Sequence, residues 1–166
     1  PSLVVPPLGL APIVEGAKLA CKRRVRRARL LGETGAGDIG SGGTMQLTMS
    51  EAINRVIARA LEGPEPVMVL GQDVGPHGGV FGVTRGLWEK YGDEVVRDGP
   101  LCESSTVGFG IGLAISGVRA IVELEIFDFV GVAMDQVFNQ AAKLHYFTGG
   151  KLSVPLVIRA PIGARG

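Results

Sequence analysis

Residues 45–166 predict an α/β domain, a parallel sheet with helices on both faces. Short apolar runs rich in Val and Ile alternate with segments of helical period along this whole stretch. Strands that alternate with helices run parallel, because each crossover returns the chain to the same end of the sheet. Composition agrees: 46% of the 166 residues are hydrophobic and 20% charged, a globular balance that excludes a mainly disordered chain.

The elements follow in order. Thr48-x-x-Glu51 reads as a capping box. Ile53, Val56, Ile57, Ala60 and Leu61 then share one helical face, and Gly63-Pro64 ends the helix. Val67 to Leu70 is a continuous apolar run, the pattern of a buried parallel strand. A glycine-laden loop occupies residues 71–82, and Thr84 to Tyr91 is a short helix ended by Gly92. Val95-Val96 is the second strand. Glu103 to Ser116 is a helix that carries Gly108, Gly110 and Gly112. Each such glycine costs an exposed helix about 1 kcal/mol relative to Ala, so close packing against this backbone is expected. Ala120 to Ile126 is a strand. Phe129 to Tyr146 is one long helix with Val132, Val137, Ala141 and Leu144 on its apolar side. Val154 to Ala160 is the last strand, closed by Pro161.

Residues 1–44 read differently. They hold seven Lys/Arg and three Asp/Glu, a net +4, against ten and thirteen, a net −3, in residues 45–166. Four prolines in the first twelve residues, a basic run from Lys22 to Arg29 and a Gly-rich stretch to Gly43 describe a leader or linker, disordered or non-native, with an organelle transit peptide as the alternative. Met45 is the expected native start. Gly35, Gly37 and Gly40 spell G-x-G-x-x-G, but no strand precedes them and no helix follows, so the dinucleotide fingerprint is rejected.

The formal net charge of +1 creates no demand for nucleic acid, and no apolar stretch is long enough for a bilayer. Two distant cysteines, Cys21 and Cys102, exclude a disulfide scaffold and a multi-cysteine zinc site, and fit a reducing compartment.

Ligands of parallel sheets bind at the carboxyl ends of strands. Three loops are therefore candidates: after Leu70, from Asp98 to Glu103, and after Ile126. Glu103 opens a helix, where a solvated glutamate favoured by the helix dipole is the plain reading. A proton-transferring carboxyl is the sharper one, favoured by the glycines one turn on. Cys102 reads as structural, since no histidine is placed to activate it. His77 lies in the glycine loop within reach of a ligand, and His145 faces solvent. Glu123 and Glu125 share a strand face beside Asp128 and read as paired or solvated carboxylates rather than a metal site. These residues give an α/β enzyme domain with a candidate catalytic glutamate, and no reaction.

Five segments carry a resemblance: MQLTMSEAINRVIARAL, VLGQDVGPHGGVFGVTRGLWEKYG, VVRDGPLCESSTVGFGIGLAISGVRAIVE, FDFVGVAMDQVFNQAAKLHYFTGGK and VPLVIRAPIGARG. Residues 45–166 resemble the β subunit of thiamine-diphosphate-dependent 2-oxo acid dehydrogenases, the decarboxylating component of the pyruvate, branched-chain 2-oxo acid and acetoin dehydrogenase complexes. The resemblance implies a pyrimidine-binding domain of the transketolase type. Pro100-Leu101-Cys102-Glu103 stands where the family has P-I-S-E, so Glu103 is expected to bond the N1′ nitrogen of the cofactor's aminopyrimidine and hold its proton. Phe129 stands where the family stacks an aromatic ring on the pyrimidine. Gln72 replaces a glutamate that the family places in an acidic proton tunnel, and a neutral amide cannot titrate. The G-D-G…N motif for magnesium and diphosphate is absent, and in the family the α subunit carries it. The resemblance further implies an α2β2 assembly, a lipoyl-bearing acyltransferase core as partner, and a location in the bacterial cytoplasm or the mitochondrial matrix. The family continues beyond the position of Gly166 to a histidine and a second domain, so the chain reads as a fragment inactive alone. The alternatives are a transketolase-like or deoxyxylulose-phosphate synthase enzyme, and a catalytically inactive docking domain.

Overall fold

The computed structural model describes residues 46–163. The reading of residues 1–44 and the rejected glycine fingerprint lie outside the described residues.

Helix α1 spans Met49–Leu61. Its capping box is formed: the Thr48 amide donates to Glu51 Oε2 at 2.8 Å, and the Glu51 amide donates to Thr48 Oγ1 at 3.2 Å. The Thr48 backbone and hydroxyl bonds hold the Glu51 carboxyl below its ordinary pKa. The helix buries Ile57, Ala58 and Leu61. Val56, expected on the same face, is 68% exposed. It gives way to Ala58, which brings a smaller side chain closer to the sheet.

Strand β1, Val67–Gly71, is buried along its whole length. Helix α2 is Leu87–Tyr91, shorter than expected, because Gly86 enters with a positive φ of 78° that no helix continues through. Strand β2 is Val96–Asp98, helix α3 is Glu103–Ile115 and strand β3 is Arg119–Glu123. Strand β4, Leu156–Arg159, closes the described elements.

The four strands form one sheet in the order β2-β1-β3-β4, and every pairing is parallel. The register aligns the last residues of all four: Asp98, Gly71, Glu123 and Arg159 make one row across the carboxyl end. Residues alternate between faces, as a strand period of two requires. Val67, Val69 and Val96 pack with α1 and α2 in one core cluster. Leu70, Ala120 and Val122 pack with α3 in a second cluster, joined by Leu156 and Ile158. Helices cover both faces, as the alternation of elements predicts.

The long helix expected over Phe129 to Tyr146 is not continuous. A 3₁₀ turn spans Phe127–Gly131, a π-helical segment spans Asp135–Ala141, and a short helix α4 spans Leu144–Phe147. The bonds change accordingly, from Val132 N–H to Phe129 O at 3.0 Å to the five-residue bond from Ala142 N–H to Val137 O, also 3.0 Å. Val132 faces solvent and Ala133 is fully buried in its place.

Candidate functional site

All three loops that follow strands β1, β2 and β3 meet in one cleft at the carboxyl end of the sheet. Gln72 comes from the first, Pro100 and Cys102 from the second, and Leu124 and Glu125 from the third, with Glu103, Thr106 and Glu123 completing the lining. The chain reverses direction across the sheet at β1, so this is a topological switch point, where parallel sheets leave room for a ligand.

Glu103 is the first residue of α3. Its turn is fixed from both sides. The Gly99 amide donates to Gly71 O at 2.8 Å, which ties the turn to β1. The Cys102 carbonyl accepts from Thr106 N at 2.9 Å and from Thr106 Oγ1 at 3.0 Å. Cys102 itself is extended, with φ −162°, and hands over to the helix at Glu103. The Glu103 side chain is half-buried and makes no hydrogen bond or ion pair with another described residue. A helix-opening carboxylate held in a cleft without a partner among the described residues is available to a ligand donor.

Gln72 shares the cleft, half-buried, directly after β1. Phe129 does not line it. The ring is 40% exposed in the Phe127–Gly131 turn. That turn is nonetheless joined to the start of α3: Ser104 Oγ donates to Val132 O, and Val132 N–H donates to Phe129 O. The cleft encloses about 10 Å³, room for one water. It is an open cleft rather than an enclosed pocket.

Glu123 is 4% exposed, and burial pushes its carboxyl above the ordinary range, with Arg159 opposing the shift. Arg159 Nη2 lies 3.4 Å from Glu123 Oε1, and Arg159 Nε is buried without a hydrogen-bond partner among the described residues. Sequence reasoning overlooked Arg159. Its signal was a lone cation at the end of an apolar strand. Glu125 lies beyond β3 and lines the cleft, so the two glutamates do not act as a strand-face pair.

Of the remaining candidates, Cys102 lines the cleft and the two histidines stay apart from it. The Cys102 thiol is lowered by the Ser105 hydroxyl, which donates to Sγ at 3.2 Å. Neither histidine lines this cleft. His77 Nδ1 is 3.8 Å from Asp73 Oδ1 on an exposed loop, and His145 Nδ1 is 2.7 Å from Leu152 O. Among the described residues no three His, Cys, Asp or Glu side chains are grouped to hold a metal ion. None of their helices is long and apolar enough to cross a membrane.

Residues 45–166 match the family model described as "Transketolase, pyrimidine binding domain". Three curated relatives are each 45% identical. The mitochondrial pyruvate dehydrogenase E1 component subunit beta of Bos taurus aligns over 120 residues, 72% of this chain and 33% of the relative. The 2-oxoisovalerate dehydrogenase subunit beta of Bacillus subtilis aligns over 113 residues, 68% and 35%. The acetoin:2,6-dichlorophenolindophenol oxidoreductase subunit beta of Cupriavidus necator aligns over 129 residues, 72% and 38%. The chain spans about a third of the length of these relatives.

Proposed function

The chain belongs to the transketolase pyrimidine-binding domain family, and from that premise we propose that it forms the pyrimidine-binding half of the active site of a thiamine-diphosphate-dependent 2-oxo acid dehydrogenase, in its β subunit. The reaction is oxidative decarboxylation of pyruvate or a branched-chain 2-oxo acid, or cleavage of acetoin, with transfer of the acyl group to a lipoyl arm. The partners are an α subunit that supplies the magnesium and diphosphate site, in an α2β2 assembly, and a lipoyl-bearing acyltransferase core. The compartment is the mitochondrial matrix in a eukaryote and the cytoplasm in a bacterium.

The observation that carries this reading is the place of the Glu103 carboxyl at the start of α3, in the cleft where three loops meet, with no partner among the described residues. The cleft lining fits one edge of an aminopyrimidine, with the Glu103 carboxyl for a ring nitrogen, while Phe129 lies outside the cleft on the adjoining turn. Thiamine diphosphate, when bound, would supply a nucleophilic carbon and an electron sink for decarboxylation. Glu103 holds a proton at N1′ of the pyrimidine. Gln72 orients by hydrogen bonding and carries no proton of its own, so proton exchange through this position is lost.

The test is Glu103→Gln in the complete chain assembled with its α partner. Cofactor affinity stays within about tenfold, roughly 1.4 kcal/mol. Turnover falls by on the order of a hundredfold or more, the scale of a lost acid–base group. Near-normal turnover in this variant overturns the assignment of Glu103.

A further inference from the structure

The geometry points to Asp98 as a positioning residue for the cofactor cleft, a carboxylate that latches the glycine-rich loop carrying Gln72 to the turn carrying Glu103. The inference rests on the reading of that cleft as the pyrimidine site.

Asp98 is the last residue of β2 and lies in register with Gly71, the last residue of β1. Gln72 follows Gly71, and the Glu103 turn follows Asp98, so this pair of strand ends is where the two cleft-lining loops diverge. Asp98 spans the divergence. Its Oδ1 accepts from the Gly75 amide at 2.6 Å, a short charge-assisted bond across 23 residues of sequence. The approach is close enough to need glycine. A Cβ on Gly75 would lie 2.8 Å from Asp98 Oδ2 and 3.0 Å from both Cγ and Oδ1. Beyond this latch the loop is braced by its own bonds. Thr84 Oγ1 donates to Val74 O at 2.7 Å, and the Gly79 amide donates to Asp73 O at 2.7 Å. The loop therefore moves as a braced unit, and the Asp98 bond fixes that unit three residues from Gln72.

Glu103 does not depend on the latch, because Thr106 and Gly99 hold its turn separately. Releasing the loop removes pre-organisation from one wall and leaves the carboxylate in place. A ligand must then order the loop itself and binds more weakly. Asp98 is thus expected to act on cofactor affinity and not on turnover at saturation, a split that a purely structural role does not produce.

The experiment measures thiamine diphosphate affinity and saturated turnover in the complete chain assembled with its α partner. Asp98→Ala weakens the cofactor by about tenfold, with saturated turnover within about twofold and melting within a few degrees. Asp98→Asn keeps the acceptor oxygen and stays within about twofold of the parent on both measures. Gly75→Ala pushes the loop off from the other side and weakens binding similarly. The double variant Asp98→Ala/Gly75→Ala is no weaker than the worse single, because both break one contact. Parental cofactor affinity in Asp98→Ala overturns the inference, as does an Asp98→Asn as weak as the alanine variant. Glu103→Gln run in parallel separates the two claims. Lost turnover there with a silent Asp98→Ala removes the latch alone, whereas near-normal turnover there removes the reading of the cleft.

Discussion

Glu123 and Arg159 stand 36 residues apart in sequence and become neighbours only because β3 and β4 pair in parallel register. That is why the carboxyl was legible as a strand residue and its partner was not. Burial outweighs the arginine, so the folded chain holds the Glu123 proton more tightly than the unfolded chain does. Folding takes up a proton between the ordinary carboxylate range and the raised value. The stability this contributes is complete below that window and is lost as pH rises through it. Glu123→Gln removes the dependence. In denaturant melts from about pH 4 to about pH 8, the parent should lose stability relative to the glutamine variant as pH rises. A difference that stays flat across the range would show that burial does not control this group. Glu103 is the contrary case. Its place at the start of α3 was legible from the turn residues before it and the apolar, glycine-rich run after it. Its lack of a partner among the described residues was not, because an empty contact leaves no trace in sequence.

Two glycines of α3 separate packing that the fold requires from packing it leaves open. A Cβ on Gly110 would lie 2.5 Å from Val122 Cγ2 and 3.1 Å from Leu156 Cδ1, in the fully buried face between helix and sheet. Overpacking of this kind costs about 1–3 kcal/mol. The helix propensity recovered is about 1 kcal/mol. Gly110→Ala should therefore lower the melting temperature of the chain. Among the described residues nothing lies within 4 Å of a Cβ on Gly112. Gly112→Ala should raise the melting temperature by about 4–8 °C, the response of a small domain to 1 kcal/mol. A loss of stability in Gly112→Ala would show that this position is packed and contradict the open space beside it. The strands and α1 were legible because their apolar runs and capping box are local. The winding of residues 127–147 was not. Ala133, Val137 and Ala141 pack against the α3 side of the sheet at intervals of four. Such a row drifts about 40° per step round a helix of 3.6 residues per turn. Widening the turn toward the π form removes the drift and keeps the row in contact. A four-residue repeat is visible in sequence, but an ordinary helix tolerates it over short stretches, and the tertiary contact decides between them.

Large apolar side chains remain in water over one stretch of the molecule: Phe127, Phe129, Val132, Met134 and Phe138, the last 59% exposed. Exposed apolar surface on this scale marks a surface for association. The chain prepared without partners should self-associate, with scattering mass that grows with concentration, and Phe138→Ser with Met134→Ser should reduce it. A monodisperse monomer at high concentration would contradict this. The strand order has a consequence in time. Among the described strands β1 is the first made and sits inside the sheet, yet both of its neighbours are synthesised after it. Its partner in β3 ends at Glu123, 52 residues beyond Gly71 (123 less 71). At about 5–20 residues per second a ribosome takes roughly 3–10 s to cover that distance. For those seconds a strand of five residues, all of them buried in the finished fold, waits with one side unpaired. The growing chain is then a client for whatever shields apolar segments as they emerge, and slower translation of residues 72–123 lengthens the wait.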